Sequence, residues 1–147
     1  MIKLIKKVQQ NYIDAKLRED KVSWCKVEGG VLLTLNGYAL YHIPAELLHV
    51  KLDEAEHSTA LKKIVEADDS YLPAEYRGTT KDGWDVFKAG DLIVIADHKK
   101  AKIFTDVKDA TFKIKAKNML IRCYSAGGQP LGGIMPLRQE PGRNYDI

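Results

Sequence analysis

The chain has 147 residues, of which 45% are hydrophobic and 29% are charged. This composition is typical of a globular domain with its own core, and it excludes an intrinsically disordered chain. The 23 Lys and Arg residues only slightly outnumber the 20 Asp and Glu residues, so the net charge of +3 does not identify an acidic partner.

No stretch of the sequence approaches the ~20 continuous apolar residues that span a bilayer. The N-terminal residues also lack the apolar run and the cleavage site of a signal peptide. We therefore expect a cytoplasmic protein without membrane contact. Cys25 and Cys123 lie among apolar residues, which predicts reduced and buried thiols.

The first half of the chain predicts one helix and a three-stranded meander. Residues 2–18 place apolar side chains at spacings of three, four and one, as an amphipathic helix does. Three β-prone segments follow, at 22–27, 31–35 and 38–43. Asn36-Gly37, between the last two, predicts a tight hairpin turn in which both residues take positive φ.

The second half predicts a short helix at 60–67, which Ser58 or Thr59 would cap. Residues 71–83 are polar and rich in turn formers, so they predict a mobile loop. The remaining elements are predicted strands at 84–88, 92–96, 110–115, 119–124 and 131–135 and a short helix at 98–104.

The order of these elements predicts an α+β fold in which helices pack on antiparallel, hairpin-rich sheets. It also suggests two similar halves, each with a helix followed by a hairpin-linked sheet. We expect a single domain over residues 1–138. Residues 139–147 show no periodicity, which predicts a flexible C-terminal tail.

The sequence contains no catalytic or metal-binding motif that we recognise. The four histidines, His42, His49, His57 and His98, are not spaced as zinc ligands. The acidic run at 53–56 lacks the glycine that bends a calcium loop, and Ile134 stands where a phosphate-binding loop has lysine. We therefore expect no metal, no cofactor and no catalytic residue. A site that assembles from distant positions stays open.

Lysines are concentrated on the predicted helices and on one late strand. The helices carry five candidate DNA contacts: Lys3, Lys6, Lys7, Lys62 and Lys63. Lys113, Lys115 and Lys117 alternate, so they share one face of a predicted strand. Such surfaces bind phosphates. The alternative is a solvated face or a strand edge that lysines protect from aggregation.

The segment Gln129-Pro-Leu-Gly-Gly-Ile-Met-Pro-Leu-Arg138 resembles the closing strand of the bacterial DNA polymerase sliding clamp. That strand typically ends in an apolar run followed by Met-Pro-Met-Arg. Met135, Pro136 and Arg138 match this motif, whereas Leu137 replaces a methionine. The order of elements is also similar, because a helix and a three-stranded meander occur twice in a clamp domain.

The resemblance implies a clamp-like fold with two equivalent halves and basic helices that face duplex DNA. It also implies that Met135, Pro136, Leu137 and Arg138 contact a partner peptide. The chain has the length of one clamp domain, whereas a bacterial clamp subunit has three. A ring would therefore require self-assembly, or the chain is a single-domain relative such as a phage or mobile element would encode.

The function that we expect is a non-enzymatic binding module, a clamp-like accessory protein that associates with DNA and with a protein partner. Two alternatives stay open. One is a self-associating interaction domain without a nucleic-acid role. The other is a small enzyme whose polar groups converge from the 71–83 segment and from the ends of strands.

Overall fold

A computed structural model describes every residue from 1 to 147. Its contacts divide the chain into two compact units, Met1–Ala67 and Asp68–Ile147, where the sequence predicts one domain over 1–138. Each unit combines helix with antiparallel strands, which confirms the α+β class. Neither unit has a helix that is both long and apolar enough to cross a lipid bilayer.

The first unit contains the predicted helix and meander. Helix α1 spans Ile2–Leu17. It buries four of the residues that its apolar spacing predicts, whereas three others are exposed: Leu4, Ile5, Val8 and Tyr12 are buried, and Ile2, Ile13 and Leu17 are exposed. Strands β1 (Ser23–Val27), β2 (Gly30–Thr34) and β3 (Ala39–Pro44) follow it. Each strand pairs with the next in antiparallel orientation, in the order β1-β2-β3.

The two turns of this meander depend on glycine. Gly29 and Gly37 both have a φ of +77°, a conformation that strains other residues. Asn36 does not take positive φ, so the predicted two-residue turn was wrong. Residues 35–38 form a longer loop instead, in which the Gly37 N–H donates to Thr34 Oγ1 at 3.1 Å and the Tyr38 N–H to Asn36 Oδ1 at 3.0 Å.

The second predicted helix is much shorter than expected. Helix α2 spans only Leu61–Ile64 and buries a single side chain, that of Leu61. One turn with one buried side chain gains too little from packing to propagate further. The connection from β3 to α2 also contains two 3₁₀ turns, at Ala45–Leu47 and Glu54–Glu56.

The second unit contains six antiparallel strands and one helix. The strands are β4 (Leu72–Thr79), β5 (Trp84–Ala89), β6 (Leu92–Asp97), β7 (Thr111–Ile114), β8 (Ile121–Tyr124) and β9 (Pro130–Ile134). Within the unit they lie in the order β9-β8-β7-β4-β5-β6. Helix α3, His98–Thr105, connects β6 to β7, close to the predicted 98–104.

Strand β4 occupies most of the segment that was predicted to be a mobile loop, so that prediction was wrong. The strand lies between β7 and β5 and pairs with both. Residues 72–74 pair with β7 and residues 75–79 pair with β5, so the strand needs no continuous apolar pattern. A bulge at Tyr76/Gly78, where Gly78 has a φ of +106°, accommodates the turn-forming residues.

The two faces of this sheet differ in chemistry. The face that packs on α3 carries the core, in which the rings of Phe87 and Phe112 lie 5.0 Å apart, centroid to centroid. The opposite face carries cations on four neighbouring strands, and we call it the basic face. Its cations are Arg122 on β8, Lys113 on β7, Arg77 on β4 and Lys88 on β5.

Candidate functional sites

Three of the predicted DNA contacts, Lys3, Lys6 and Lys7, lie on the exposed side of the N-terminal half of α1. None of them forms an ion pair, and the first turn of α1 contains no acidic residue. Lys3 lies in the first turn, where a positive side chain opposes the helix dipole by roughly 0.3–1 kcal/mol. Lys3 and Lys7 are also one turn apart, so their charges repel. Helix stability therefore does not explain this cluster.

The other two predicted contacts, Lys62 and Lys63, are exposed on α2. This one-turn helix packs against β1, where burial raises the pKa of the Cys25 thiol and the charge of Lys62 partly opposes the increase. The five lysines therefore form a set of three on α1 and a set of two on α2. Both Cys25 and Cys123 are free and buried, as predicted.

The inner side of α1 is fastened to the segment that follows β3. The buried amide of Gln9 donates to the Leu47 carbonyl oxygen at 2.8 Å. Its oxygen accepts the N–H groups of His49 and Val50, at 2.6 and 3.1 Å. These three hydrogen bonds fix the rotation of α1, in which Lys3, Lys6 and Lys7 are exposed.

The acidic run at 53–56 also contacts α1. Lys16 Nζ lies 2.9 Å from Glu56 and 3.3 Å from Asp53, and the hydrogen bond with Glu56 raises the pKa of Lys16. The Ala55 N–H, followed by Lys16, lowers the pKa of Asp53. These carboxylates thus hold a helix in place. No group of three or more His, Cys, Asp or Glu side chains in the protein is arranged to hold a metal ion.

The predicted peptide contact, residues 135–138, follows β9. Met135 is 41% exposed and Arg138 is also exposed, whereas Pro136 is half-buried. Leu137 packs against the cluster of Val86 and Ile95 within the second unit. Two of the four predicted residues are therefore accessible to a partner, and the apolar side chain of Leu137 is already packed.

Residues 137–147, which we call the strap, contact the second unit through groups that are distant in sequence. The Leu137 N–H donates to the Ile95 carbonyl oxygen at 2.8 Å, and Gln139 Nε2 donates to that of Ile93 at 2.7 Å. Carbonyls two residues apart point to the same side of a strand. The strap therefore covers the outer edge of β6, which would otherwise be open to another chain.

The strap then crosses the basic face. Tyr145 is only 6% exposed and packs on Val86 and Ile95, with its ring centroid 5.4 Å from that of Trp84. The Arg143 guanidinium lies 4.7 Å from the Trp84 centroid and 5.1 Å from that of Tyr145. The strap has no regular secondary structure. The flexibility expected for residues 139–147 stays a prediction.

Asp146 places a carboxylate between two cations of the basic face. It lies 2.8 Å from Lys88 Nζ and 3.2 Å from Arg77 Nε. Arg77 also donates from Nη2 to the main-chain oxygen of Ile147 at 2.6 Å. The hydrogen bond from Lys88 lowers the pKa of Asp146 below its ordinary value of 3.8, so the strap presents an anion at neutral pH.

The other cations of the basic face lie beside aromatic rings. Lys113 and Arg122 are directly opposite on β7 and β8. Lys113 Nζ is 5.2 Å from the centroid of the Tyr124 ring, and the Arg122 guanidinium is 4.0 Å from that of Tyr71. A cation that lies over the face of an aromatic ring is attracted by that ring.

Only one of the three alternating lysines lies on the strand itself. Because β7 ends at Ile114, the predicted strand face carries Lys113 alone, and Lys115 and Lys117 lie beyond its end. Lys115 is paired with Asp68 at 2.7 Å, and this contact, with the Ser70 N–H, lowers the pKa of Asp68 to about 2.

One cluster of polar side chains was not predicted from the sequence. Asp85 on β5 is fully buried on the α3 side of the sheet. Its carboxylate accepts hydrogen bonds from Thr79 Oγ1 at 2.6 Å and from Tyr76 Oη at 2.9 Å. Burial raises the pKa of Tyr76, so its phenol stays protonated and donates.

His98, the first residue of α3, completes this cluster. Its Nδ1 lies 2.9 and 3.1 Å from the two Asp85 oxygens. A carboxylate only accepts, so Nδ1 carries the proton and Nε2 is left for another partner. The sequence held one signal for this site, because alternation along β5 places Asp85 on the same apolar face as Phe87. Nothing in it pointed to the Asp85–His98 pair.

Comparison of the chain with protein-family models, with curated proteins and with solved structures found no match. Function is therefore inferred from the geometry and charge of the chain's own residues.

Proposed function

We propose that the protein is a non-enzymatic binding module that associates with duplex DNA as a clamp-like accessory factor. The observation that carries this proposal is the cluster of Lys3, Lys6 and Lys7 on α1. These charges are exposed and lack ion pairs, and that of Lys3, in the first turn, also opposes the helix dipole. An anionic partner accounts for charges that the folded chain does not use, and DNA phosphates attract such lysines irrespective of base sequence.

The order of elements supports the clamp-like part of the proposal. In the first unit α1 is followed by the antiparallel strands β1, β2 and β3, and in the second unit α3 is followed by β7, β8 and β9. This repeat of a helix and a meander is the arrangement that the resemblance implies. Lys62 and Lys63 would add phosphate contacts, and Met135 and Arg138 would meet a protein partner in the cytoplasm.

Replacement of Lys3, Lys6 and Lys7 by glutamine is expected to weaken binding to duplex DNA. Each lost phosphate contact lowers the slope of log K against log salt by about 0.9, so we expect the slope to fall by about 2 to 3. Fluorescence anisotropy with a labelled random-sequence duplex, from about 50 to 200 mM salt, measures this change.

The matched control replaces three other lysines by glutamine: Lys21, Lys51 and Lys81. These are also exposed and make no ion pair. It removes the same net charge, and we expect it to leave most of the slope intact. Equal slopes for the two triple variants would contradict the role of α1. A wild-type protein that does not bind duplex at low salt would contradict the proposed function as a whole.

A second candidate function rests on the Asp85–His98 pair. A buried carboxylate that orients an imidazole leaves Nε2 positioned to accept a proton, as a general base does. The 36% exposure of the His98 side chain gives solvent access to the ring. If this pair is catalytic, His98→Gln abolishes turnover in a screen of ester and phosphoester substrates while the fold persists. If no substrate distinguishes that variant from the wild type, this candidate is rejected.

A further inference from the structure

The contacts between the strap and the basic face include one anion and one aromatic side chain. Asp146 pairs with Arg77 and Lys88, and Tyr145 packs beside Trp84. The strap residue Arg143 also forms an ion pair with Asp82 at 3.2 Å. The basic face thus already accommodates a segment that combines negative charge with a flat ring.

The cations of this face form a staggered row across neighbouring strands: Lys113 is opposite Arg122 on β8 and Pro73 on β4, whereas Lys88 is opposite Glu75, two residues further along β4. Strands lie about 4.8 Å apart, so β8 and β5 are separated by roughly 14 Å across the sheet. Like charges that are directly opposite, as Lys113 and Arg122 are, destabilise a sheet. The one acidic side chain in the row is Glu75, which lies opposite Lys88 and 3.5 Å from Arg77.

We propose that the basic face of the second unit binds single-stranded nucleic acid, and that the strap occupies two of its cations, Arg77 and Lys88, in the free protein. This inference rests on the proposed function, because it also takes nucleic acid as the partner. A phosphate replaces the Asp146 carboxylate, and a base replaces the Tyr145 ring beside Trp84.

The combination of cations with aromatic rings selects single strands over duplex. Unpaired bases stack on aromatic side chains, whereas the bases of a duplex already stack on one another. Tyr124 and Trp84 are half-buried at the two ends of the row. The duplex contacts of α1 depend on phosphates alone, so the two surfaces have different ligands.

The experiment compares Asp146→Asn with Asp106→Asn in the full chain, with a labelled oligothymidylate as the probe. Both changes remove one negative charge, and Asp106 also belongs to an ion pair, with Lys102 at 2.8 Å. We expect Asp146→Asn to bind the oligonucleotide about tenfold more tightly at low salt, with a slope steeper by about 1, because it removes the charge that pairs with Lys88 and one of the acceptors of Arg77. Asp106→Asn is expected to change the affinity less than about twofold.

Two further measurements complete the test. Addition of Lys88→Gln to Asp146→Asn is expected to return the affinity to the wild-type value. In the wild type, saturating oligothymidylate is expected to quench Trp84 fluorescence and to accelerate amide hydrogen exchange at residues 143–147. Loss of the quenching in Trp84→Phe identifies its source, since Trp24 remains in that variant.

Three outcomes overturn the inference. They are equal affinities of the two Asp→Asn variants for oligothymidylate, an unchanged amide exchange rate in the strap when oligothymidylate is added, or displacement of the labelled probe by polyglutamate as effective as displacement by unlabelled oligothymidylate. Each can be separated from failure of the proposed function. If duplex binding depends on α1 but Asp146→Asn and Asp106→Asn bind oligothymidylate with equal affinity, the strap inference alone is rejected. Tight oligothymidylate binding by Asp146→Asn without any duplex binding rejects the duplex proposal alone.

Discussion

Replacement of Asp85 by alanine is expected to lower the free energy of unfolding by about 2–4 kcal/mol. The carboxylate is fully buried, and it accepts hydrogen bonds from Tyr76, Thr79 and His98. The substitution removes their common acceptor and leaves a gap at the junction of β4, β5 and α3. Urea denaturation followed by far-ultraviolet circular dichroism measures the change.

Two further variants test whether the lost hydrogen bonds of Asp85 cause this decrease in the free energy of unfolding. Asp91→Ala, at an exposed position in the turn between β5 and β6, is expected to change stability by less than about 0.5 kcal/mol. Asp85→Asn keeps an acceptor of the same shape and is expected to cost less than alanine. If Asp85→Ala is as stable as Asp91→Ala, the cluster does not hold the sheet to α3. Its polar groups would then need another purpose, such as the catalytic one.

Replacement of Tyr145 by alanine is expected to cost about 3 kcal/mol, the lower end of the range for truncation of buried aromatic side chains. The ring packs on Val86, Ile95 and Trp84, and its hydroxyl accepts the Glu140 N–H at 2.8 Å. Denaturation in urea measures the loss, and amide hydrogen exchange over residues 139–147 reports whether the strap has detached.

Tyr38→Ala is the matched control, because Tyr38 is 54% exposed, whereas Tyr145 is 6% exposed. We expect it to cost less than about 1 kcal/mol. If Tyr145→Ala is as stable as Tyr38→Ala, and the amides of residues 139–147 exchange rapidly in both variants, the strap is weakly attached. The flexible tail predicted from the sequence would then be correct. Slow exchange in the wild type that Tyr145→Ala abolishes would instead show a docked segment.

Local patterns in the sequence predicted most of the secondary structure. The apolar spacing in α1, the alternation in the strands and the glycines of the first meander are signals carried by neighbouring residues. Each element buries the face that its own period defines, so the prediction needs no knowledge of the partner element. The sequence could predict the position of Lys3, Lys6 and Lys7 for the same reason, because all three lie on the polar side of one helix.

The tertiary structure decided the features that depend on distant residues. Strand β4 forms because β7 pairs with its first residues and β5 with the remainder, not because its own residues alternate clearly. The Asp85–His98 pair joins a strand to a helix N-terminus, and the strap reaches Lys88 from Asp146, 58 positions along the chain.

The same distinction applies to the candidate surfaces, because part of their chemistry follows from the sequence and part depends on the tertiary structure. By itself, the sequence determined an α+β fold, its glycine turns and a basic helix, since residues close in the chain interact whatever the topology. It could not determine which charges remain without a partner. That depends on tertiary packing, which brings Arg77 and Lys88 to Asp146 and leaves Lys3, Lys6 and Lys7 exposed and without ion pairs.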